Sequence, residues 1–267
     1  MLIIGEKLNS SIKSVAAAIE IKDEDYIRKL VLDQLSAGAD MIDVNAGVFL
    51  DREVQFLRWL VRTVQEAADV PLCIDSPNPE ALKAALPLHR GKALINSISL
   101  EADRYDSMLP VVKEFGASVV ALCMDDNGIP RNATSRTDIA CRLAEKLNSD
   151  GVSTDDVYFD VLVQPISVDD TLGIAALDTV RGIRERISGA HTICGLSNVS
   201  FGLPERKLLN SAFAAALITY GMDTFIIDPL DHGMMAMIAA SEALTGKDEF
   251  CEKYLKAFRS GKLKTKE

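Results

Sequence analysis

The chain has 267 residues, and 48% of them are hydrophobic, which is enough apolar content for one large core. Its formal net charge is −10 and its pI is about 4.9, so it lacks the basic surface with which nucleic-acid-binding proteins neutralise phosphates. This balance favours a small molecule or another protein as the ligand. The one basic cluster, which we interpret as a solvated tail, is Arg259, Lys262, Lys264 and Lys266.

Cysteine usage and hydropathy indicate a protein of the reduced cytoplasm. There are five cysteines, an odd number, and no two of them have the CxxC spacing. This pattern does not favour disulfides or a thiolate metal site, and we expect no bound metal. We find no signal peptide and no apolar run long enough to cross a membrane, so we expect no membrane association.

Short apolar runs alternate along the chain with longer amphipathic ones. We predict eight strands, at residues 2–6, 41–45, 72–75, 93–97, 118–124, 157–162, 191–196 and 224–227. A helix is predicted after each strand, and strict alternation of this kind indicates a parallel sheet with helices outside it.

The predicted helices follow from apolar residues at helical spacing. They cover residues 23–37, 52–68, 79–86, 102–115, 137–148, 171–187, 204–220 and 233–244, with a further helix at 249–258. Gly38 is a plausible C-cap, Ser135 or Thr137 is the predicted N-cap of the fifth helix, and Pro204 is placed in a first turn.

Eight strand–helix units in about 250 residues is the number that closes a (β/α)₈ TIM barrel, and we predict one such domain over residues 1–267. A doubly wound open sheet is the alternative. Such sheets usually carry a glycine-rich turn after the first strand, whereas this chain reads Gly5-Glu6-Lys7-Leu8 there and has no GxGxxG motif.

Active sites of such barrels lie at the carboxyl ends of the strands. These ends carry acids and amides. They carry no lysine, which argues against a Schiff-base aldolase, and no pair of histidines, which argues against a zinc or iron site. No glycine-rich phosphate cradle follows strands 7 and 8. The strand-end residues are Glu6, Asp43, Asn45, Asp75, Asn96, Asp125, Asp160, Gly195, Ser197, Asn198 and Asp228.

Alternating Asp and Asn suit an uncharged ring whose edge presents N–H donors beside a carbonyl acceptor. A carboxylate accepts two donors in a fork, and an amide supplies one donor and one acceptor. A pterin has such an edge, so the strand ends Asp75, Asn96 and Asp160 suit a ring of this kind. The alternative is that these residues only cap helices or tie loops, which is less expected when four strands end in this way.

The ordered motifs resemble the methyltetrahydrofolate:corrinoid protein methyltransferases over almost the whole chain. They are Leu2-Ile3-Ile4-Gly5-Glu6-Lys7-Leu8-Asn9, Ala39-Asp40-Met41-Ile42-Asp43-Val44-Asn45, Cys73-Ile74-Asp75-Ser76, Ile95-Asn96-Ser97, Tyr158-Phe159-Asp160 and Gly195-Leu196-Ser197-Asn198-Val199-Ser200.

The resemblance implies a pterin-binding barrel that moves a methyl group between N5 of tetrahydrofolate and the cobalt of a corrinoid on a separate protein. It implies that Asp75, Asn96 and Asp160 hold the pterin, that Gly195 and Ser197 line its pocket, and that Asn198 is the catalytic residue near N5. Glu6, Asp43 and Asn45 are expected to support them.

Dihydropteroate synthase, which is similar in the pterin pocket, is a second reading. Its seventh strand is followed by a Ser-Arg-Lys type sequence and its first loop carries a Pro-Asp-Ser-Phe type run. This chain instead reads Ser197-Asn198-Val199 and Asn9-Ser10-Ser11-Ile12, and both departures argue against synthase activity.

Three further points stay open from sequence. The methyl group could pass from methyltetrahydrofolate to a corrinoid, as in acetogens, or from a corrinoid charged by a methylamine or betaine to tetrahydrofolate. Asp228-Pro229-Leu230-Asp231 favours the second direction.

A non-catalytic pterin-binding subunit is the non-enzyme alternative. A homodimer is implied by the family, with a surface on Phe213, Leu217, Tyr220, Met234, Met235 and Met237 unless these residues pack in the core.

Overall fold

A computed structural model describes residues 1–263 and shows a closed barrel. Every neighbouring strand pair is parallel, and β1 pairs with β8 to complete the ring. The prediction of a (β/α)₈ barrel is therefore confirmed. The strands are β1 (Leu2–Gly5), β2 (Met41–Asn45), β3 (Leu72–Asp75), β4 (Leu94–Leu100), β5 (Ser118–Asp125), β6 (Val157–Asp160), β7 (His191–Gly195) and β8 (Thr224–Ile227).

The helices surround this barrel, and short 3₁₀ turns connect several of them to strands. They are α1 (Lys13–Ile21), α2 (Glu24–Ala37), α3 (Glu53–Ala67), α4 (Pro79–Ala85), α5 (Ala102–Phe115), α6 (Ala133–Ser149), α7 (Leu172–Arg186), α8 (Arg206–Tyr220), α9 (His232–Leu244) and α10 (Glu252–Arg259). The 3₁₀ turns are Gly47–Arg52, Leu86–Leu88, Thr154–Asp156, Leu196–Ser200 and Glu249–Cys251.

Side-chain alternation along each strand divides the barrel into two zones. One set of buried apolar side chains fills the interior, and a larger set packs between the sheet and the helices. The interior set comprises Ile4, Met41, Cys73, Leu94, Val120 and Ile193. Because side chains alternate with a period of two, the residue two positions later on each strand also faces inward, at the carboxyl end. On β1 to β4 and β7 those residues are Glu6, Asp43, Asp75, Asn96 and Gly195.

The helix α1 was not predicted from the sequence. Its buried residues are Val15, Ala18 and Ile19, and the apolar Ile21 is exposed. Ile12, at the N-cap position, has no side chain that could cap the helix with a hydrogen bond. With nine residues and no capping side chain at its start, the segment lacks the length and the start signal by which a helix is predicted from sequence.

Two predicted helix starts are wrong. The helix α6 begins four residues earlier than predicted, because the Asn132 side chain accepts a hydrogen bond from Ser135 N at 2.8 Å and acts as the N-cap. Ser135 and Thr137 therefore lie inside the helix. Pro204 lies outside α8, since Glu205, with φ 48°, takes the left-handed conformation just before the helix.

The apolar stripes on α8 and α9 are core-packing surfaces. Leu217 and Met234 are buried, and Phe213, Tyr220 and Met235 pack against the core. These five residues therefore contribute to the packing of the barrel, whereas Met237 is 38% exposed. No helix in residues 1–263 is long and apolar enough to cross a membrane. In the C-terminal basic cluster, Lys264 and Lys266 lie outside the described residues.

Candidate functional site

A cleft of about 420 Å³ opens at the carboxyl ends of the strands, where the alternation places the polar side chains. Seven of the residues singled out from the sequence meet there. The cleft is lined by Glu6, Lys7, Asn9, Ser11, Ile12, Asp43, Asp75, Asn96, Gly195, Ser197, Asn198 and Ile226.

Asn45 does not line the cleft but holds the side chain of Asp75, which does. Its Nδ2 donates to Asp75 Oδ2 at 2.9 Å, and its Oδ1 accepts from Ser10 Oγ at 2.9 Å. The parallel register pairs Asn45 with Asp75, so the two side chains lie side by side on adjacent strands. The amide therefore fixes the orientation of the Asp75 carboxyl group.

Asp43 is 3% exposed, and its Oδ1 has no hydrogen-bond partner among the described residues. Burial, and after it the neighbouring Asp75 carboxyl, raise the pKa of Asp43 well above its usual value. Burial also raises the pKa of Asp75, while the hydrogen bond from Asn45 and the charge of Arg104 lower it. One end of the cleft thus contains two neighbouring acids, Asp43 and Asp75, whose simultaneous ionisation is unfavourable.

Glu6 is a second unusual acid on the cleft wall. Burial and the nearby Asp228 raise the pKa of Glu6 to about 7, although Lys7 and Arg206 act in the opposite direction. Asp228 itself is paired, with its Oδ2 at 3.0 Å from Lys7 Nζ. Glu6 is therefore a group that can exchange a proton near neutral pH.

Asp160 does not line the cleft, although it belongs to the same inner face of the barrel. It lies two residues after Tyr158, which packs against the interior cluster, and it pairs in register with Ile193 of β7. Its Oδ1 accepts a hydrogen bond from Leu162 N at 2.8 Å. Burial raises the pKa of Asp160 to about 6, against the effects of that hydrogen bond and of Arg136.

The 3₁₀ turn Leu196–Ser200 begins directly after β7 and carries Ser197 and Asn198 into the cleft. The Asn198 side chain is exposed and makes no hydrogen bond within residues 1–263. A Cβ on Gly195 would lie 3.4 Å from Asn198 Nδ2, so glycine leaves open the space beside this amide. The Asn198 amide is therefore available to a ligand.

The loop after β1 supplies cleft residues that were not proposed as site residues from the sequence. Lys7, Asn9, Ser11 and Ile12 all line the cleft. A signal was present, because these residues directly follow the first strand end. The sequence did not show that the loop folds inward, which is fixed by hydrogen bonds such as Ser10 N to Asn45 O at 3.1 Å.

This arrangement offers hydrogen-bond acceptors, amides and acids with raised pKa values. In residues 1–263, no group of three or more His, Cys, Asp or Glu side chains is placed to hold a metal ion. The donor set fits an uncharged heterocycle with several N–H groups, since each carboxyl can accept a donor and each amide can satisfy both kinds of partner.

Comparisons with known proteins agree with this chemistry. The family described as pterin binding enzyme matches residues 5–228. The chain is 40% identical over 265 residues to methylcorrinoid:tetrahydrofolate methyltransferase from Eubacterium limosum, covering 98% of each protein. It is 29% identical over 240 residues to methionine synthase from Mycobacterium tuberculosis, which is 85% of this chain but 20% of that protein.

Solved structures show the same fold. Dihydropteroate synthase from Xanthomonas albilineans superposes with a TM-score of 0.72 at 17% identity, covering 93% of each chain. The synthase from Yersinia pestis gives a TM-score of 0.68 at 17% identity, covering 92% of this chain and 93% of that one. The predicted family resemblance is confirmed, and the chain belongs to the pterin-binding enzyme family.

Proposed function

We propose that this protein is a methyltransferase that moves a methyl group between N5 of tetrahydrofolate and the cobalt of a corrinoid carried by a separate protein. The observation that carries the proposal is the 40% identity, over 98% of both chains, to the Eubacterium limosum methyltransferase of that name. The cleft supports it with the polar strand ends that a pterin edge requires.

Asp75, Asn96 and Asp160 are the proposed pterin-holding residues. Asp75 is kept in one orientation by Asn45, and Asp160 by the N–H of Leu162. Carboxyl groups held in this way are ready to accept N–H donors without further reorganisation. Gly195 and Ser197 line the same cleft and would bound the ring near the end of β7.

Asn198 is the proposed catalytic residue, because its unpaired amide points into the cleft from a short turn. When tetrahydrofolate is methylated, the N5 lone pair would form the new bond to the methyl carbon. The bond between that carbon and the cobalt of the corrinoid substrate would break, and its electron pair would stay on the cobalt. The proton on N5 must then leave. An amide oxygen beside N5 can accept a hydrogen bond from that N–H as its positive charge develops.

The raised pKa of Glu6 suits it to take up this proton or, in the reverse direction, to supply one. The corrinoid supplies either the methyl group bonded to cobalt or the reduced cobalt that accepts it. What this chain's own residues provide is position and electrostatics around the pterin.

Several finer features belong to the same proposal. The partner is a corrinoid protein, the pterin substrate is tetrahydrofolate or its 5-methyl derivative, and the preferred direction is the one in which the Eubacterium limosum relative is named. We also propose a cytoplasmic homodimer and a single domain over the whole chain, both as expectations from sequence.

Purified protein should catalyse methyl transfer from methylcobalamin to tetrahydrofolate, and from 5-methyltetrahydrofolate to reduced cobalamin, seen as a change in corrinoid absorbance. Tight pterin binding with no transfer in either direction, even with a corrinoid protein supplied, would instead favour the binding-only subunit. Formation of dihydropteroate would favour the synthase, which the Ser197-Asn198-Val199 sequence argues against.

A further inference from the structure

Three arginines sit behind the strand ends to which pterin contacts are assigned. Each comes from a surrounding helix and donates to a backbone carbonyl beside one such residue. Arg104 Nε of α5 donates to Ser97 O at 3.0 Å, next to Asn96. Arg206 Nη2 of α8 donates to Ser197 O at 2.7 Å, next to Asn198.

Arg136 of α6 is the third, and it is 0% exposed. Its Nη1 donates to Val161 O at 2.9 Å and to Leu162 O at 3.1 Å, and its Nη2 donates to Gln164 Oε1 at 2.8 Å. Its Nε donates to Pro130 O at 2.7 Å. The guanidinium therefore holds the segment that follows β6 through several contacts at once.

Within residues 1–263, Arg136 has no carboxylate within ion-pair distance, so its charge rests on carbonyl and amide dipoles. Burying a cation in this way is costly, and a neutral side chain of similar size could pack there at lower cost. A role beyond packing would account for an arginine at this position.

The contacts of Arg136 lead to Asp160 through a single residue. Leu162 has φ 57°, a left-handed conformation that is unfavourable for a leucine, and its carbonyl is held by the guanidinium. In this conformation Leu162 N donates to Asp160 Oδ1 at 2.8 Å. The orientation of the Asp160 carboxyl group thus depends on a turn that Arg136 clamps.

We propose that Arg136 is a positioning residue for pterin recognition: its guanidinium holds the turn at 161–164 so that Leu162 presents the Asp160 carboxylate to the ring. The inference rests on the proposed function, since it takes Asp160 as a pterin contact. Arg136 touches neither substrate nor reacting atoms, and it acts through Leu162.

The charge of Arg136 gives a second, separable effect. Burial raises the pKa of Asp160 to about 6, while the Leu162 N–H and Arg136 lower it. The other titratable groups on which the Asp160 charge acts are Cys123 of β5 and Cys194 of β7, and burial raises the pKa of both thiols, so they stay neutral. Loss of Arg136 removes both lowering influences, and Asp160 then holds its proton at higher pH.

The test is the affinity for 5-methyltetrahydrofolate, measured by titration calorimetry between pH 5 and pH 9 in wild type, Arg136→Gln and Arg136→Lys. For Arg136→Gln we expect roughly tenfold weaker binding at pH 7, the effect of a misplaced or protonated acceptor. The midpoint below which affinity is lost should move up by about one pH unit, and the gap to wild type should narrow at pH 9.

Arg136→Lys separates geometry from charge. Lysine keeps the cation but lacks the planar fork, so we expect reduced affinity at every pH and a pH midpoint between those of wild type and Arg136→Gln. If Arg136→Gln does not fold, this variant decides: reduced affinity supports the proposal, and wild-type affinity overturns it.

Arg184→Gln is the matched control. Arg184 Nη1 also donates to a backbone carbonyl, that of Ala190, but at the amino end of β7, far from the pterin contacts. It should lower stability and leave affinity and its pH midpoint unchanged. Equal losses in Arg184→Gln and Arg136→Gln, or an unshifted midpoint in folded Arg136→Gln, contradict the proposal. Failure of wild type itself to bind the pterin would count against the proposed function instead.

Discussion

Both ends of the barrel carry acidic side chains, but the acids have different partners. At the amino end of the strands, Asp40 Oδ2 accepts from Ile3 N at 2.9 Å. Asp223 accepts from Thr192 N at 2.9 Å and lies 3.0 Å from His191 Nδ1. At the carboxyl end, Asp43 Oδ1 has no partner among residues 1–263, and Glu6 makes no side-chain hydrogen bond there.

The difference separates acids whose hydrogen bonds the fold itself satisfies from acids that keep acceptor capacity for the proposed ligand. A buried acceptor without a partner costs about 1–3 kcal/mol, so it persists only where something else satisfies it or where it stays protonated. The amino-end acids are satisfied by the backbone. At the carboxyl end, Asp75 and Asp160 each accept a hydrogen bond and Asp43 Oδ1 accepts none, so the proposed N–H donors of the pterin would complete this set.

The largest expected effect concerns Asn198 at the carboxyl end. Asn198→Ala should lower the single-turnover methyl-transfer rate by about 10²–10³-fold, the usual effect of losing one group aimed at developing charge. Affinity for 5-methyltetrahydrofolate, measured by calorimetry, should fall far less. Asn127→Ala, which changes another exposed asparagine after a strand end but outside the cleft, should keep the rate. Equal losses of rate and affinity would make Asn198 a binding group only.

A second prediction compares one acid from each end. Asp160→Ala should weaken pterin binding by about 1–3 kcal/mol because the N–H donors lose their acceptor. Asp223→Ala should instead lower the free energy of unfolding by a similar amount, about 1–3 kcal/mol, because Thr192 N is left unpaired, and it should not change affinity. Calorimetric titration and urea unfolding of both variants measure the two effects. Unchanged affinity in Asp160→Ala would remove that residue from the proposed site.

The architecture and most of the site were accessible from sequence for one reason. The alternation of side chains along a strand identifies the eight strand–helix units and also shows which residues of each strand face into the barrel. The inward-facing residues at the strand ends include Glu6, Asp43, Asp75 and Asn96, which meet in the cleft. Neither inference needs knowledge of tertiary contacts.

The remaining features depend on contacts that no local pattern encodes. The pairing of Asn45 with Asp75 follows from the β2–β3 register, and the exposure and ionisation of Asp43 follow from packing around it. The cap of α6 by Asn132 was missed because Ser135 is an equally good capping residue by type. Nothing local marks Arg136, because it precedes the predicted helix at 137–148 and because an arginine in an amphipathic helix usually lies on the solvent side.

The smallest expected effect is on stability as a function of pH, and it tests the carboxyl-end acids without any ligand. The pKa of Glu6 is raised from 4.5 to about 7 and that of Asp160 from 3.8 to about 6, in both cases mainly by burial. Folding therefore favours their protonated forms, so their contribution to stability is complete below about pH 4 and is lost as pH rises through 6 and 7.

We expect these two groups to lower the free energy of unfolding by about 1–2 kcal/mol between pH 5 and pH 8, a discounted value because solvent reaches both side chains. Urea unfolding of the ligand-free protein should show a flatter pH dependence in Glu6→Gln and Asp160→Asn than in wild type. Ser197→Ala, a cleft variant without a titratable group, should keep the wild-type slope. Calorimetry in buffers of different ionisation enthalpy should also detect a proton released when 5-methyltetrahydrofolate binds near pH 6, because its N–H donors favour the Asp160 carboxylate. An unchanged slope in both acid variants would mean that the carboxyl-end acids are no more strained than those at the amino end.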